Sequence, residues 1–444
     1  MKDPRRIAFE VLLRVEQGRA FANAVLDAKL EAHADLDPRD RALATELVYG
    51  TLRRALALDW VVDQHASRPV ASLDPPVRQL LRLGAYQLLH LRVPDHAAVD
   101  ATVRLAREVG AHKASGFVNA VLRSIAGRRE PPLLPPFEVD PALYLRATEG
   151  LPEWIFEAWR RRLPLEELPR AARAVNEPAP LCLRAPSPAL RDEALRRLAA
   201  EGVDAEPSRL SPVGLLLPGG HPDRLAVAAE LCLEAQDEAA QAAAFFALAE
   251  GPRPLEIRSV LDACAAPGGK AFLVAEALPE ATVDAVDLHR SRTRRIAEGA
   301  ARLGLSERIR VHAADVTRPL PFARDGGWDL VLVDAPCTGL GTLRRRPEIK
   351  LHRQREDVGR LAATQRRILS GAAPHVAPGG RLAYLVCTWT HEETEAVVEW
   401  FLAEHPDFKV EPAGDRARFE TWPHREGADG FFAVRFRRVG AVPP

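Results

Sequence analysis

Two cysteines fifty residues apart carry the strongest chemical signal in this 444-residue chain: Cys337, in Asp334-Ala-Pro-Cys-Thr-Gly-Leu-Gly341, and Cys387, in Leu385-Val-Cys-Thr388. Each follows an apolar run and opens a turn, so each is expected at a strand end. Both lie downstream of Leu261-Asp-Ala-Cys-Ala-Ala-Pro-Gly-Gly-Lys270, which reads as a strand, a glycine turn and the start of a helix. A thiolate is a potent nucleophile, so two thiols beside a nucleotide-cofactor cleft point to covalent catalysis in which one attacks and the other assists or releases.

The glycine turn narrows the cofactor. Gly268 and Gly269 let backbone amides approach a ligand, and a helix start favours a polar or anionic group. A phosphate-cradling loop needs glycine where Cys264 stands and Ser or Thr where Ala271 stands, and the dinucleotide fingerprint Gly-x-Gly-x-x-Gly is absent. A cofactor without phosphates, such as S-adenosylmethionine, fits Cys264, Ala265, Ala266, Pro267, Gly268, Gly269 and Lys270 better. The plain alternative is a structural strand–helix turn. Asp287 ends the next strand about 20 residues on, where an acidic group accepts from both ribose hydroxyls. Asp315, after the third strand, is placed for the adenine amino group. A lone Asp at a strand end is more often a helix cap; Asp287, Asp315 and Asp334 in this order favour a cleft.

The elements that must position these residues fall into three regions. Residues 1–128 carry apolar positions at helical spacing throughout, with Pro38, Pro69, Pro75, Pro76 and Pro94 between the runs, so an all-α N-terminal helical bundle is expected. A proline-rich linker over 129–149 follows, then a small α+β connecting domain over 150–235 with extended runs at Leu181–Arg184 and Val213–Leu217. From 236 to 444, strands at Ser259–Ala263, Val283–Val286, Ile309–His312, Leu330–Val333 and Arg381–Val386 alternate with amphipathic helices, which predicts a parallel, doubly wound, Rossmann-like α/β sheet.

Composition removes several classes. No apolar run approaches the roughly 18 residues of a membrane span, and the start Met1-Lys-Asp-Pro-Arg-Arg6 lacks an apolar signal core, so a cytoplasmic protein is expected. The five cysteines have neither zinc spacing nor an even number, so neither a metal site nor a disulfide framework is expected. Cys182 and Cys232 read as small core residues, and Cys264 needs no reactive role. Net charge is zero, but residues 1–129 hold 20 Lys/Arg against 15 Asp/Glu, and residues 342–367 hold 9 against 3. The second cluster, from Arg344-Arg-Arg346 to Arg367, is the best candidate for gripping phosphates; solvated helix faces are the bland alternative.

With these residues assembled, 236–444 closely resembles the RNA cytosine-C5 methyltransferases. The matching motifs are Gln236-Asp-Glu-Ala-Ala-Gln241, Asp262–Lys270, Asp334-Ala-Pro-Cys337, Arg345-Arg-Pro-Glu-Ile-Lys350, Pro378-Gly-Gly380, the Cys387 turn and Asp429-Gly-Phe-Phe432. Residues 1–128 resemble the NusB-type RNA-binding helical domain in Leu83-Gly-Ala-Tyr-Gln-Leu-Leu89 and Phe117-Val-Asn-Ala-Val-Leu-Arg123, and Asn176-Glu-Pro-Ala-Pro180 looks like the start of the connecting subdomain. The combination resembles the bacterial 16S rRNA cytosine methyltransferases. Ala271, Thr388 and Thr394 depart from the usual Thr, Ser and Asn of the family.

The resemblance implies a monomeric enzyme that uses S-adenosylmethionine to methylate a cytosine of 16S rRNA, position 967 by family precedent. It implies Cys387 as nucleophile at C6 and Cys337 as the group that resolves the adduct. The DNA cytosine methyltransferases, similar at this site, attack with the Pro-Cys thiol, which leaves the reversed roles open. Asp334 would read the N3 and amino edge of cytosine, and Lys270 would favour the thiolate or orient the base; a surface helix lysine is its plain alternative. The rival functions are the same chemistry on tRNA and a non-catalytic RNA-binding scaffold, which would need none of these groups together.

Overall fold

The computed structural model describes residues 3–18, 20–128, 133–220, 225–253 and 255–439. They form two compact units: the described residues of 1–177 with those of 343–354, and the described residues of 178–342 with those of 355–444.

The first unit is helical. Prolines open its helices as expected: Pro38 starts Pro38–Arg53, where the Asp37 side chain accepts from Arg39 N and Asp40 N, and Pro75 starts Pro75–His90. The motifs around Gly84 and Leu122 meet in its core. A Cβ on Gly84 would lie 2.5 Å from Leu122 Cδ1, so glycine there admits the helix Ser115–Gly127. Of the stretch expected as linker, residues 129–132 lie outside the described residues, and 141–149 is a helix rather than a linker, with its start capped by Asp140. The helices Glu153–Arg160 and Leu168–Ala174 also belong to this unit, which runs to 177 and so takes in the first part of the expected connecting domain. The physical reason is apolar burial: Leu145, Ile155, Phe156 and Leu168 are core residues, and Asn176 Nδ2 donates to Glu149 O at 2.8 Å.

Residues 343–354 complete this unit. Lys350 Nζ donates to Asn176 Oδ1 (2.7 Å), Arg53 O (3.1 Å) and Glu149 O (3.2 Å). Ala22 N donates to Glu348 Oε1, His352 Nε2 lies 3.0 Å from Val15 O, and Leu351 packs on the helical core. Arg344 is therefore buried rather than on a phosphate-gripping surface, and Arg346 lies over the Phe21 ring at 5.0 Å. The reason is apolar burial in this stretch: Leu343, Pro347 and Ile349 are buried and take Arg344, Glu348 and Lys350 in with them, while Arg345 is half-buried and Arg346 stays exposed.

The second unit holds two sheets. The smaller is antiparallel in the order 206–207, 214–217, 181–184, 234–235, flanked by the helix Pro188–Ala200. The larger follows the order 408–410, 431–438, 376–386, 328–334, 259–262, 282–287, 309–313, with 418–421 paired to 431–438. The five predicted strands are present and mutually parallel. The sheet is nevertheless mixed, because Phe431–Arg438 runs antiparallel to Val376–Val386 and carries two further antiparallel strands. The antiparallel strand brings Asp429-Gly-Phe-Phe432 beside Cys387.

Candidate active site

Parallel strands end on one side of a sheet, and in open α/β sheets ligands bind outside those carboxyl ends. Asp262, Asp287 and Asp334 close three such strands, and Asp315 follows a fourth. A cavity of about 490 Å³ lies there, and Cys264, Ala266, Asp287, Asp315 and Asp334 are on its wall. The loop does not act as one surface: Pro267 and Gly269 line a separate cleft of about 440 Å³, and Ala265 is buried in the core. Gly268 has φ +119°, and a Cβ there would run into the Phe272 ring.

Asp262 was quoted above only as part of a motif, yet it has the least satisfied carboxylate here. It is 1 % exposed, its Oδ1 accepts weakly from Cys264 N at 3.4 Å, and its Oδ2 has no partner. Burial, then the Asp334 charge, push it up to about 7. Asp315 is pulled down by the Thr317 hydroxyl, which donates to its Oδ1 at 2.7 Å. Leu288, Thr364 and Arg367 also line the cavity. Arg367, assigned above to the phosphate-gripping run, thus stands on the cofactor-side wall; helical spacing from Thr364 was the only signal that could have placed it there.

The thiol side is assembled from three loops. Cys337 Sγ lies 3.3 Å from Cys387 Sγ. Gly341 N donates to Cys387 O, and Gly430 N donates to Gly341 O. Neither glycine can be replaced here: a Cβ on Gly341 would lie 2.0 Å from Gly430 O, and one on Gly430 would lie 1.8 Å from the Trp389 ring. The hydrogen bond to Cys387, then burial, raise the Cys337 thiol well above its ordinary value.

Lys270 is 9 % exposed, so it is not a surface residue. Its Nζ donates to Asp334 Oδ2 at 2.6 Å and sits 5.0 Å from the Phe431 ring centroid. Burial pulls its ammonium down, but Asp334 more than offsets this, with Cys387 and Asp262 adding to the rise; its pKa is raised. Cys182 is a buried core residue as expected, and Cys232 is half-buried. Burial, foremost, raises the Cys264 thiol.

The arrangement offers a thiol pair, a buried cation able to hold a nearby thiolate, and a carboxylate that reaches both that cation and the cavity. Among the described residues no helix is long and apolar enough to cross a membrane.

Known proteins match the chain along its length. Residues 2–127 match the NusB family, 151–222 the ferredoxin-like domain of RsmF/B-like methyltransferases, and 250–437 the 16S rRNA methyltransferase RsmB/F family. A probable ribosomal RNA small subunit methyltransferase B of Bacillus subtilis is 35% identical over 98% of this chain and 99% of its own. The ribosomal RNA small subunit methyltransferase B of Citrobacter koseri is 33% identical over 95% of each. Among solved structures, PH0851 superposes with a TM-score of 0.80 at 23% identity, over 98% of this chain and 99% of that one. NSun6 from Pyrococcus horikoshii, solved with SFG, gives 0.56 at 20% identity, over 65% and 98%. The chain belongs to the RsmB/Sun-type family of S-adenosylmethionine-dependent rRNA methyltransferases, with a NusB-type region ahead of the methyltransferase.

Proposed function

We propose that this protein methylates C5 of a cytosine in 16S rRNA, cytosine 967 by the family's precedent, through a covalent bond between Cys387 and C6. The observation that carries the reading is the pair of thiols 3.3 Å apart in the same unit as the ion pair of buried Lys270 with Asp334. Residues 236–444 would be the transferase, 150–235 the connecting domain and 1–128 the RNA-binding part, in a monomeric cytoplasmic protein.

S-adenosylmethionine, when bound, supplies an electrophilic methyl group. Its cationic parts fit a cavity rimmed by carboxylates, with Asp287 and Asp315 for the ribose and adenine. Cytosine C5 is a weak nucleophile. Addition of the Cys387 thiolate at C6 gives C5 enamine-like density, and Lys270 stabilises that thiolate before attack. Asp334 orients the base through N3 and the exocyclic amine, a pattern uracil cannot match. After methylation the C5 proton must leave as the C6–S bond breaks. Cys337, whose sulfur lies 3.3 Å from that of Cys387, is the group proposed to take it, acting as a thiolate. The target base reaches this site only out of its stack.

Purified protein should transfer label from S-adenosylmethionine to 16S rRNA, and nucleoside analysis should find it in 5-methylcytidine. Label in another nucleoside would sink the C5 reading; label in tRNA alone would move the substrate.

A further inference from the structure

Glu393 lies outside the cofactor cavity, is fully buried, and joins the chain segments that carry the two thiols. Its Oε1 accepts from Thr338 N at 2.8 Å and from Gln365 Nε2 at 3.0 Å. Its Oε2 accepts from Thr338 Oγ1 at 2.6 Å, Thr390 Oγ1 at 2.8 Å and Thr388 Oγ1 at 3.3 Å. Thr338 follows Cys337 and Thr388 follows Cys387 in the chain. The two hydroxyls also meet at 2.7 Å, and Gln365 Nε2 donates to Pro336 O, on the other side of Cys337. Thr338, Thr388, Thr390 and Gln365 are all fully buried, so water does not compete for these bonds. The backbone is fixed as well, with Tyr384 OH donating to Glu393 O at 2.6 Å.

We infer that Glu393 is a positioning residue of the thiol site, holding the Cys337 and Cys387 loops in the register that brings their sulfurs into contact. The inference rests on the proposed chemistry only for its effect on turnover; the geometry it asserts can be read without RNA. The Thr338 N–H, the Gln365 amide and the Thr390 hydroxyl donate to this carboxylate, and Thr338 and Thr388 share their hydroxyl protons between it and each other. A carboxylate can accept from all of them, and no neutral side chain of the same shape is equivalent. Glutamine comes nearest: its oxygen can face Thr338 N and Gln365, while its NH₂ faces hydroxyls that can turn and accept. Alanine leaves both loops without their common anchor.

Phenylarsine oxide, which bridges two adjacent thiols and releases water, reads the sulfur pair directly. Capture should require both cysteines, with Cys337→Ala as the control. In Glu393→Ala the capture rate should fall about tenfold and kcat for methyl transfer about 100-fold, the loss expected of an ångström-scale misplacement, with KM for S-adenosylmethionine unchanged. Glu393→Gln should recover both to within a few-fold of wild type. If Glu393→Ala does not fold, Thr338→Val with Thr388→Val removes two of the three hydroxyl contacts to the carboxylate, keeps side-chain shape and should show the same two losses, each smaller. Wild-type capture in either folded variant would overturn the inference. Slow capture in a protein whose wild type makes no 5-methylcytidine would sustain the inference and sink the proposed reaction instead.

Discussion

Two lysines, Lys270 and Lys350, are both almost fully buried, yet their surroundings differ in kind. Around Lys350 the oxygens belong to backbone carbonyls and an amide, three acceptors for the three donors of an ammonium. Burial, foremost, pulls it down to about 7. Around Lys270 the partner is a carboxylate, other negative or ionisable groups lie nearby, and the pKa rises. A buried amine whose direct hydrogen-bond acceptors are all neutral ties segments together; one ion-paired to a carboxylate at a cavity is poised for chemistry. Both belong to motifs quoted from the sequence, Asp262–Lys270 and Arg345–Lys350, so the motif alone does not tell the roles apart.

Replacing each lysine by methionine should break the comparison most sharply. Lys270→Met should cost about 100-fold in methyl transfer, as loss of a preorganised charge at a reacting centre does, with the melting temperature nearly kept. Lys350→Met should lower stability by about 3 kcal/mol, since buried carbonyls lose their donor, while the folded fraction stays active. Stopped denaturant unfolding and initial rates on the same preparations check both. A loss of activity without destabilisation in Lys350→Met would erase the distinction.

A smaller effect sharpens the chemical side. Asp262 has a folded pKa raised to about 7, so it is protonated below that pH and charged above it. Its stability contribution is therefore fully present below the unfolded carboxylate range and lost as pH rises through about 7. A cationic ligand favours the charged form, so affinity for S-adenosylmethionine should rise several-fold as pH climbs through 7. Asp262→Asn should flatten that rise in calorimetric titrations; an unchanged slope would mean another group sets it.

The strand ends and thiols were legible because each sits beside a local signal: an apolar run, a glycine turn, a Pro-Cys pair. Strand Phe431–Arg438 was not counted because it returns antiparallel after a helix, outside the βα rhythm that marked the first five. Arg344 read as part of a basic surface because charge density does not report burial; Lys350, six residues on, is held by groups 174 to 297 residues away in sequence. Glu393 was invisible for the same reason: its partners Thr338 and Gln365 lie 55 and 28 residues off, and no periodicity links them. Thr388, a departure from the family's usual serine, keeps the hydroxyl this network uses.

The central claim is that Cys387 attacks and Cys337 releases. Expressing Cys337→Ala and Cys387→Ala in cells and looking for RNA-linked protein on a denaturing gel, with sequencing of the attached RNA, tests it most directly. The account predicts a stable adduct to 16S rRNA in Cys337→Ala and none in Cys387→Ala; an adduct in Cys387→Ala alone would contradict it and exchange the two roles.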